Sequence, residues 1–337
     1  MKTNSFDKVV EQFANMMVEK INEVSMNWQK PWFNISSGTK NFIPQNLTGR
    51  KYSGGNLFTL LMACEAHNYQ TPVFLTFNQA KEAGLTILKG SKSFPIYYFI
   101  FFVYHKETRE KISYEEYKEL STEEKKKYNV FPAGRYFCVF NLDQTNFSEK
   151  YHDKWEQLLS FFRNREQSPV TDSYSNEIID NMLANSSWCC PIIQRESDSA
   201  FYSPSQDYIN VPEKRQFVDG ESFYSTLLHE MGHSTGHETR LKRKFGPFGS
   251  PDYAVEELKV ELSSALVGFF LGFATTPREE NACYLKSWLS AIHEDPKFVL
   301  SLLSDCSRIL RFMSEYLKLD LETYSETEEP ETIKAVS

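Results

Sequence analysis

Apolar residues recur at steps of three and four positions in several segments of the chain, which is the spacing of an amphipathic helix. Near the amino terminus, for example, Val9, Phe13, Met16 and Met17 fall on one helical face. We therefore predict helices in both halves of the chain. The segments concerned are residues 5–24, 57–67, 155–162, 176–184, 222–234, 253–272, 282–292 and 296–317.

Other segments have the composition of strands. Aromatic and β-branched residues dominate 93–104 and 135–141, as is typical of strands. Residues 200–212, with the sequence AFYSPSQDYINVP, alternate apolar and polar positions around turn-forming residues, which predicts a strand pair or an edge strand. A charged block at 106–127 separates the first two strands, and we interpret it as a solvated helical insertion.

Length and charge divide the chain into two parts. A chain of 337 residues suggests about two domains. We predict an α+β fold with an amino-terminal α+β domain at 1–150, a carboxyl-terminal domain at 151–320 and an acidic disordered tail at 321–337. Residues 1–150 contain 19 Lys and Arg against 15 Asp and Glu, whereas 151–337 contain 18 against 30. Only the first half therefore has the charge to contact a polyanion.

The chain also has features of a cytoplasmic protein. No apolar run approaches the roughly 18 residues of a membrane span, so no membrane partner is expected. The amino terminus does not resemble a signal peptide. The six cysteines form no CxxC pair, and sparse cysteines of this kind fit a reducing compartment.

The most informative motif is an HExxH formed by His229, Glu230 and His233. On the predicted helix the two histidines lie one turn apart on the same face, so both imidazoles can reach one metal ion. Glu230 would project beside that ion and act as general base on water. The histidines and Glu230 need partners because the helix is flanked by apolar residues, and unpaired buried polar groups are costly.

A third ligand is available on the predicted helix 253–272. Glu257 and Glu261 are four residues apart and share a face, while apolar side chains occupy the adjacent face. We assign Glu257 as the third ligand and Glu261 as the acceptor of a hydrogen bond from a ligand histidine. The exchange of these two roles stays open, as does a solvated pair.

Four further residues have two possible roles each. His237 continues the four-residue spacing of the histidines, but Gly236 is typical of a helix end and would turn His237 away. Tyr253 is a candidate donor to a developing oxyanion, or a core or capping residue. Arg240 and Arg243 contact either substrate or structure, and the sequence alone does not decide between them.

These segments together resemble ArdC-type antirestriction proteins. The carboxyl-terminal part is similar to the zincin-like metallopeptidase domain of that family, and the amino-terminal part is similar to its single-stranded-DNA-binding domain. The matching segments are 28–33, 46–61, 74–99, 135–145, 200–212, 223–246 and 253–272. The resemblance implies single-stranded-DNA binding and protection of incoming DNA during conjugative transfer.

The resemblance also bears on individual residues. The Glu-xxx-Glu spacing resembles the third-ligand helix of other gluzincins, which favours Glu257 over Glu261. The chain departs from the family pattern in two places. Ser234 stands where the family usually has Trp, and the charged stretch at 106–127 is longer than usual.

Single-stranded DNA is usually bound by cations that follow the phosphates and by aromatic faces on which bases stack. Both kinds of residue are mixed in the amino-terminal half, and two of the lysines flank a glycine-containing turn. The alternative is that the aromatic residues are core and the lysines form a solvated rim. The residues of this candidate surface are Lys30, Trp32, Arg50, Lys51, Tyr52, Lys89 and Lys92.

We therefore predict a single-stranded-DNA-binding domain joined to a zinc-dependent, gluzincin-type metallopeptidase domain. Its expected partners are single-stranded DNA and a host restriction protein or another protein as peptidase substrate. The alternative is a non-proteolytic DNA-binding protein whose metal site is structural or vestigial. A metal-dependent nuclease is less favoured, because the hard cations of phosphate chemistry prefer carboxylate-rich sites.

Overall fold

The structure of the chain is a computed structural model. It contains a mixture of helices and two β-sheets, which confirms the α+β class predicted from the sequence. The residues that the structure describes are 5–26, 33, 42–163, 175–247, 249–273, 275, 281 and 284–319. The predicted tail at 321–337 and part of the predicted domain boundary fall outside them.

The helices and strands are numbered in chain order. The helices are α1 (Ser5–Met26), α2 (Gly54–Ala66), α3 (Phe77–Glu82), α4 (Tyr114–Glu119), α5 (Thr122–Lys125), α6 (Phe147–Lys150), α7 (His152–Arg163), α8 (Glu177–Ala184), α9 (Gly220–Ser234), α10 (Pro251–Leu271), α11 (Leu285–Glu294) and α12 (Phe298–Leu317). The strands are β1 (Gln45–Asn46), β2 (Val73–Thr76), β3 (Phe94–His105), β4 (Lys111–Ile112), β5 (Tyr128–Asn141), β6 (Ile192–Arg195), β7 (Phe201–Ser203) and β8 (Tyr208–Pro212).

The first sheet has the order β1-β2-β5-β3-β4 and is antiparallel except for the β1–β2 pair. Strands β3 and β5 pair continuously from Phe94 opposite Val139 to His105 opposite Tyr128. Strand β5 is therefore longer than the predicted segment 135–141, because it follows β3 along its whole length.

The charged block between β3 and β5 contains two short helices, α4 and α5, as well as strand β4. Each helix begins with a capping box, in which Ser113 pairs with Glu116 and Ser121 pairs with Glu124. These caps explain why a largely exposed and highly charged segment is ordered into helical turns.

The second sheet has the order β6-β8-β7. Strands β7 and β8 form the antiparallel pair predicted for 200–212, and β6, which pairs with β8 in parallel, was not predicted. Strand β7 lies at the edge of this sheet, next to the helix that carries the HExxH motif. Among the described strands, β7 pairs only with β8, so its other side faces no described strand.

Helices α9 and α10 cross at close range, and a glycine makes the approach possible. A Cβ atom added at Gly232 would lie 2.8 Å from Cγ1 of Val260, closer than real Cβ contacts allow. Helix α10 is capped at its start by Ser250, whose side chain accepts a hydrogen bond from the Tyr253 amide, and at its end by Gly272, which has a φ of 87°. The crossing brings the histidine face of α9 against the glutamate face of α10.

The carboxyl-terminal helices pack against both halves of the chain. Helix α12 contacts α2, where a Cβ at Gly55 would lie 3.3 Å from Cβ of Leu303. The rings of Phe33 and Phe269 also meet, with centroids 6.4 Å apart. The buried apolar residues form one continuous cluster across both halves, and the domain bounds 1–150 and 151–320 stay a prediction. Among the described residues, no helix is both long and apolar enough to cross a bilayer.

Candidate metal centre

The HExxH residues lie in the buried second half of α9. Asp219 caps the start of this helix by accepting a hydrogen bond from the Ser222 amide at 2.7 Å. Further along α9, His229, Glu230 and His233 are only 2%, 3% and 9% exposed. Apolar neighbours on the same helix are fully buried, so the motif is part of the core and not of a solvated face.

Three side chains from two helices converge on one point. The Nε2 atoms of His229 and His233 are 3.0 Å apart. The two carboxylate oxygens of Glu257 lie 3.3 Å from these nitrogens, Oε2 facing His229 and Oε1 facing His233. Among the described residues, these three form the one group of at least three His, Cys, Asp or Glu side chains close enough to hold an ion.

The separations of these atoms fit a metal ion with nitrogen and oxygen ligands. Metal–ligand bonds of about 2.0–2.1 Å in a tetrahedral site place neighbouring ligand atoms about 3.3 Å apart. The observed separations for His229, His233 and Glu257 are 3.0–3.3 Å. Two imidazole nitrogens and a carboxylate are a donor set that suits zinc and other first-row divalent metals.

The charge balance around the site also fits a cation. Four carboxylates, those of Glu230, Glu256, Glu257 and Glu261, are each 3% exposed or less. Arg243 pairs with Glu256 through a 2.7 Å contact, which compensates one of the four. Buried charge of one sign is costly unless it is matched, so a divalent cation between the imidazoles would relieve the imbalance.

The titration behaviour of the site reflects the same negative environment. Burial alone would lower the pKa of His233, but its hydrogen bonds to Glu256 and Glu257 outweigh burial and raise the pKa to about 10. Burial opposes ionisation of Glu257, yet its hydrogen bonds to His229 and His233 hold the pKa of Glu257 well below the ordinary value. The cluster therefore attracts positive charge strongly.

Glu256 orients His233, a role that the sequence did not assign to it. Its Oε1 lies 3.4 Å from Nδ1 of His233 and 2.7 Å from Nη2 of Arg243. Arg243 is itself held by bonds to the Gly232 carbonyl and the Thr235 hydroxyl at 2.8 and 2.7 Å. A carboxylate on the far nitrogen of a ligand histidine fixes the tautomer and the ring orientation.

Glu261 was predicted to accept a hydrogen bond from a ligand histidine. It lies near His229 but too far away for that bond. Its Oε1 lies 3.9 Å from Nδ1 of His229, beyond hydrogen-bond range, and that nitrogen has no hydrogen-bond partner among the described residues. Glu261 accepts instead from Nδ2 of Asn281 at 2.5 Å. Asn281 lies 20 residues further along the chain and is close only because the chain folds back, so no local pattern points to it.

A cleft of about 450 Å³ opens in front of His233 and Glu257. Glu230 lines it together with the aromatic rings of Tyr253 and Tyr284. Burial and a hydrogen bond to Glu257 raise the pKa of Tyr253, so its hydroxyl stays protonated and can donate. Strand β7 forms another wall through Phe201 and Tyr202. The candidate base, the candidate oxyanion donor and a sheet edge thus meet in one space.

The remaining residues near the motif have structural partners. His237 lies past the end of α9, where its Nδ1 is 2.9 Å from Oγ1 of Thr239, and it is not in the cluster of candidate ligands. Arg240 pairs with Asp207 and donates to the Ser234 carbonyl at 2.8 Å. Arg240, like Arg243, therefore holds the fold around the site.

The candidate DNA-binding residues differ in how far they are exposed. Lys30 and Trp32 lie outside the described residues. Lys89 and Lys92 are exposed in the turn after α3, as predicted for contacts with phosphates. Tyr52 is only 8% exposed and packs edge-on against Phe74. Its ring offers no open face for a base, so we leave Tyr52 out of the candidate surface.

Arg50 and Lys51 are half-buried and follow β1 in the chain. Burial raises the pKa of Tyr98 on β3, and the positive charge of Arg50 opposes that rise. The ring of Tyr98 also meets that of Phe137, with centroids 5.8 Å apart. The sheet thus adds partly exposed aromatic residues next to the predicted cations, and these residues were missed because their position depends on strand pairing.

The fold and the site define the class of protein: an HExxH helix crossed by a glutamate-bearing helix beside a sheet edge is a zincin-like arrangement. The family described as zincin-like metallopeptidase matches residues 178–304, and the family described as the N-terminal domain of anti-restriction factor ArdC matches residues 7–140. The resemblance to ArdC-type proteins is therefore confirmed, and the chain carries both domains of that type.

Three known proteins are similar in sequence to this protein over most of its length. Two proteins named DNA primase TraC from Escherichia coli are 33% and 31% identical over 90% and 89% of the chain. The chain spans only 27% and 19% of the length of these two relatives. A Sinorhizobium fredii protein described as uncharacterized protein y4eC is 25% identical, with 90% of the chain and 91% of that protein covered.

Solved structures share the fold. The metal-free structure of the antirestriction protein ArdC from plasmid R388 aligns with a TM-score of 0.64 and 23% identity, covering 91% of the chain and 97% of that protein. Its Mn(II)-bound structure also aligns with a TM-score of 0.64, at 22% identity, covering 93% and 98%. The zincin-like domain and the ligand cluster together indicate a divalent-metal site in the chain.

Proposed function

We propose that the carboxyl-terminal domain is a zinc-dependent peptidase in which His229, His233 and Glu257 hold the ion. The observation that carries this proposal is the buried triangle of two Nε2 atoms and one carboxylate, with sides of 3.0–3.3 Å. Glu230 in the same cleft favours a catalytic site over a purely structural one, since a structural ion has no need of a general base beside it.

The residues of the cleft divide the work of peptide hydrolysis. A zinc ion at the triangle would supply Lewis acidity toward the peptide carbonyl and toward water. Glu230 takes a proton from the attacking water and returns it to the leaving amine. The Tyr253 hydroxyl, which stays protonated because its pKa is raised, donates to the oxygen on which negative charge develops. Glu256 keeps the His233 ring in its orientation during these steps.

The walls of the cleft suit an extended peptide. Strand β7 is an edge strand, and its residues Phe201 and Tyr202 line the cleft. A peptide that adds to this edge would gain main-chain hydrogen bonds and would present alternate side chains to the walls. The aromatic rings of Phe245, Tyr253 and Tyr284 offer apolar contacts to one such side chain.

The test is a Glu230→Gln variant compared with the wild type. Zinc content by elemental analysis should be unchanged, because Glu230 is not a ligand, while cleavage of a fluorogenic peptide library should fall to background. A variant that still cleaves at the wild-type rate would reject Glu230 as the base. Loss of zinc in this variant would instead reject the proposed ligand set.

We also propose that the amino-terminal domain binds single-stranded DNA. The observation that favours this second function is the combination of exposed Lys89 and Lys92 with Arg50, whose charge acts on the half-buried Tyr98. Cations that follow phosphates and rings that stack on bases are the two elements of such sites. A fluorescently labelled oligothymidine should bind with strong salt dependence. Affinity independent of salt would contradict the proposal.

In a cell these two activities would serve a mobile element. Relatives named DNA primase TraC and a structural neighbour named antirestriction ArdC support a role in protecting transferred DNA from host restriction, in the cytoplasm. The competing proposal is protection without cleavage, by coating DNA or by binding a host enzyme. The Glu230→Gln variant separates the two, because protection that survives in it cannot depend on hydrolysis.

A further inference from the structure

A second reactive site lies outside the metal centre, at the adjacent cysteines Cys189 and Cys190. They follow Trp188 in the segment between α8 and β6. Cys189 is half-buried and Cys190 is 8% exposed. Both line a cleft of about 410 Å³ that shares no lining residue with the cleft in front of the metal centre.

The thiol of Cys189 has polar neighbours in the folded chain. Hydrogen bonding with the neighbouring Cys190 thiol, with help from the charge of Arg240, lowers the pKa of Cys189 despite partial burial. The same bond raises the pKa of Cys190. Sγ of Cys189 also lies 4.0 Å from Oγ of Ser234. Cys189 is therefore the more nucleophilic thiol of the pair.

The small side chain of Ser234 contributes to this arrangement. Ser234 is fully buried, accepts a hydrogen bond from Nε1 of Trp188 at 3.0 Å and donates to the Met231 carbonyl at 2.7 Å. Serine at this position leaves Sγ of Cys189 in contact with the helix and with the cleft.

Adjacent cysteines are poorly placed to bond directly to each other. Consecutive Cα atoms are about 3.8 Å apart, whereas disulfides usually join Cα atoms about 4.4–6.8 Å apart, so a disulfide here would be strained. A larger soft atom between the two sulphurs avoids this strain because each S–atom bond points outward from the pair. Thiolates are also the ligands that select soft ions.

We propose that Cys189 and Cys190 form a two-thiol site for thiophilic centres of the trivalent-arsenic class. An arsenoxide, R–As=O, would react with the two thiols to form two S–As bonds, and its oxygen would leave as water with both thiol protons. Arsenic stays trivalent, and no oxidant or reductant is needed. The apolar walls formed by Met182, Leu183 and Ile192 suit an organic substituent on the arsenic.

Phenylarsine oxide and intact-protein mass spectrometry test the proposal. The wild type should take up one phenylarsenic group per chain, which excess 2,3-dimercaptopropanol removes but the same concentration of a monothiol does not. Cys189→Ser and Cys190→Ser should each lose at least about nine-tenths of the adduct. Cys138→Ser removes an exposed cysteine on β5 and is the matched control, which should keep the full adduct.

Two results would overturn the proposal. One is a wild type that takes up no arsenical at equimolar reagent, and the other is an adduct that persists in Cys189→Ser. Circular dichroism of each variant checks that the chain is folded. Since Cys189 is half-buried, its serine variant is the decisive one if Cys190→Ser does not fold. None of these outcomes depends on peptidase activity or on metal at the His229 site.

Discussion

The metal centre and the candidate DNA surface hold their charges in opposite ways. At the metal centre His229, His233 and Glu257 are at most 9% exposed, and each contacts the other two within 3.3 Å. At the DNA surface Lys89 and Lys92 are exposed on a turn that is anchored through its backbone, where Gln144 donates to the Lys92 carbonyl at 3.0 Å.

This difference determines how much a single residue can matter. A buried polar or charged group must be paired with its neighbours. The removal of one member leaves the others unpaired, which lowers the free energy of unfolding by about 3–5 kcal/mol. An exposed cation is solvated with or without its partner and is screened by salt. The metal centre should therefore respond sharply to one substitution, whereas the DNA surface should respond weakly and additively.

The largest effect is expected for Glu257→Ala. It removes one of three candidate ligands. The loss of a residue that only orients a ligand lowers metal affinity by up to about 100-fold, so we expect the loss of a ligand itself to lower it by at least that factor. Equilibrium dialysis against zinc measures the change. Glu238→Ala, which removes an exposed carboxylate past the end of α9, is the control and should bind zinc normally. A Glu257→Ala protein with wild-type affinity would show that the third ligand is elsewhere.

The helix crossing gives the next prediction. Gly232→Ala places a Cβ 2.8 Å from Val260, and overpacking of this kind costs about 1–3 kcal/mol of unfolding free energy. Urea denaturation followed by circular dichroism measures the loss. Addition of Val260→Ala to this variant should restore part of the stability, because the two positions are in contact. Strictly additive losses in the double variant would mean that the helices do not approach as closely here.

Comparison of Glu256→Gln with Glu261→Gln tests which of the two carboxylates orients a ligand histidine. Glu256 lies 3.4 Å from Nδ1 of His233, whereas Glu261 lies 3.9 Å from Nδ1 of His229. We expect zinc affinity to fall about tenfold in the first variant and less in the second. The reverse order in a zinc titration would restore the role that the sequence assigned to Glu261.

A weaker response is expected from the DNA surface. Lys89→Ala combined with Lys92→Ala should lower the affinity for oligothymidine about fivefold and reduce the salt slope by about 1.4, or about 0.7 per phosphate contact on a single strand. Lys154→Ala combined with Lys318→Ala removes the same charge from exposed sites elsewhere and should leave both quantities unchanged. An equal loss in both double variants would indicate a non-specific charge effect.

The smallest effect concerns the pH dependence of stability. The hydrogen bond from Arg240 holds the pKa of Asp207 below its ordinary value. This carboxylate therefore adds stability above its unfolded pKa of about 3.9, and the contribution disappears as pH falls through the lower folded pKa. The stability difference between wild type and Asp207→Asn, from thermal unfolding, should shrink below about pH 4. A difference that grows on acidification would contradict this sign.

The same contrast between buried and exposed regions governs what the sequence could predict. The spacing of His229, Glu230 and His233 and the Glu257–Glu261 face follow from helical periodicity, so the helices and the residues at the centre could be identified. The strand pair β7–β8 follows from alternation and turn residues. In each case the information lies within a few residues along the chain.

Other parts of the structure depend on contacts between distant segments. Asn281 reaches Glu261 and Arg243 reaches Glu256 only after the chain has folded, and Tyr52 is buried by Phe74 from another element. The extension of β5 likewise depends on its pairing with β3. The spacing of residues along the chain does not predict such contacts, so the roles of these residues are known only from the structure.

The central claim is that His229, His233 and Glu257 coordinate one divalent ion between two crossing helices. Anomalous diffraction at the zinc absorption edge from crystals grown with zinc tests it most directly. The account predicts one strong peak within bonding distance of both Nε2 atoms and the Glu257 carboxylate. A strong peak elsewhere, with none between these three side chains, would contradict it.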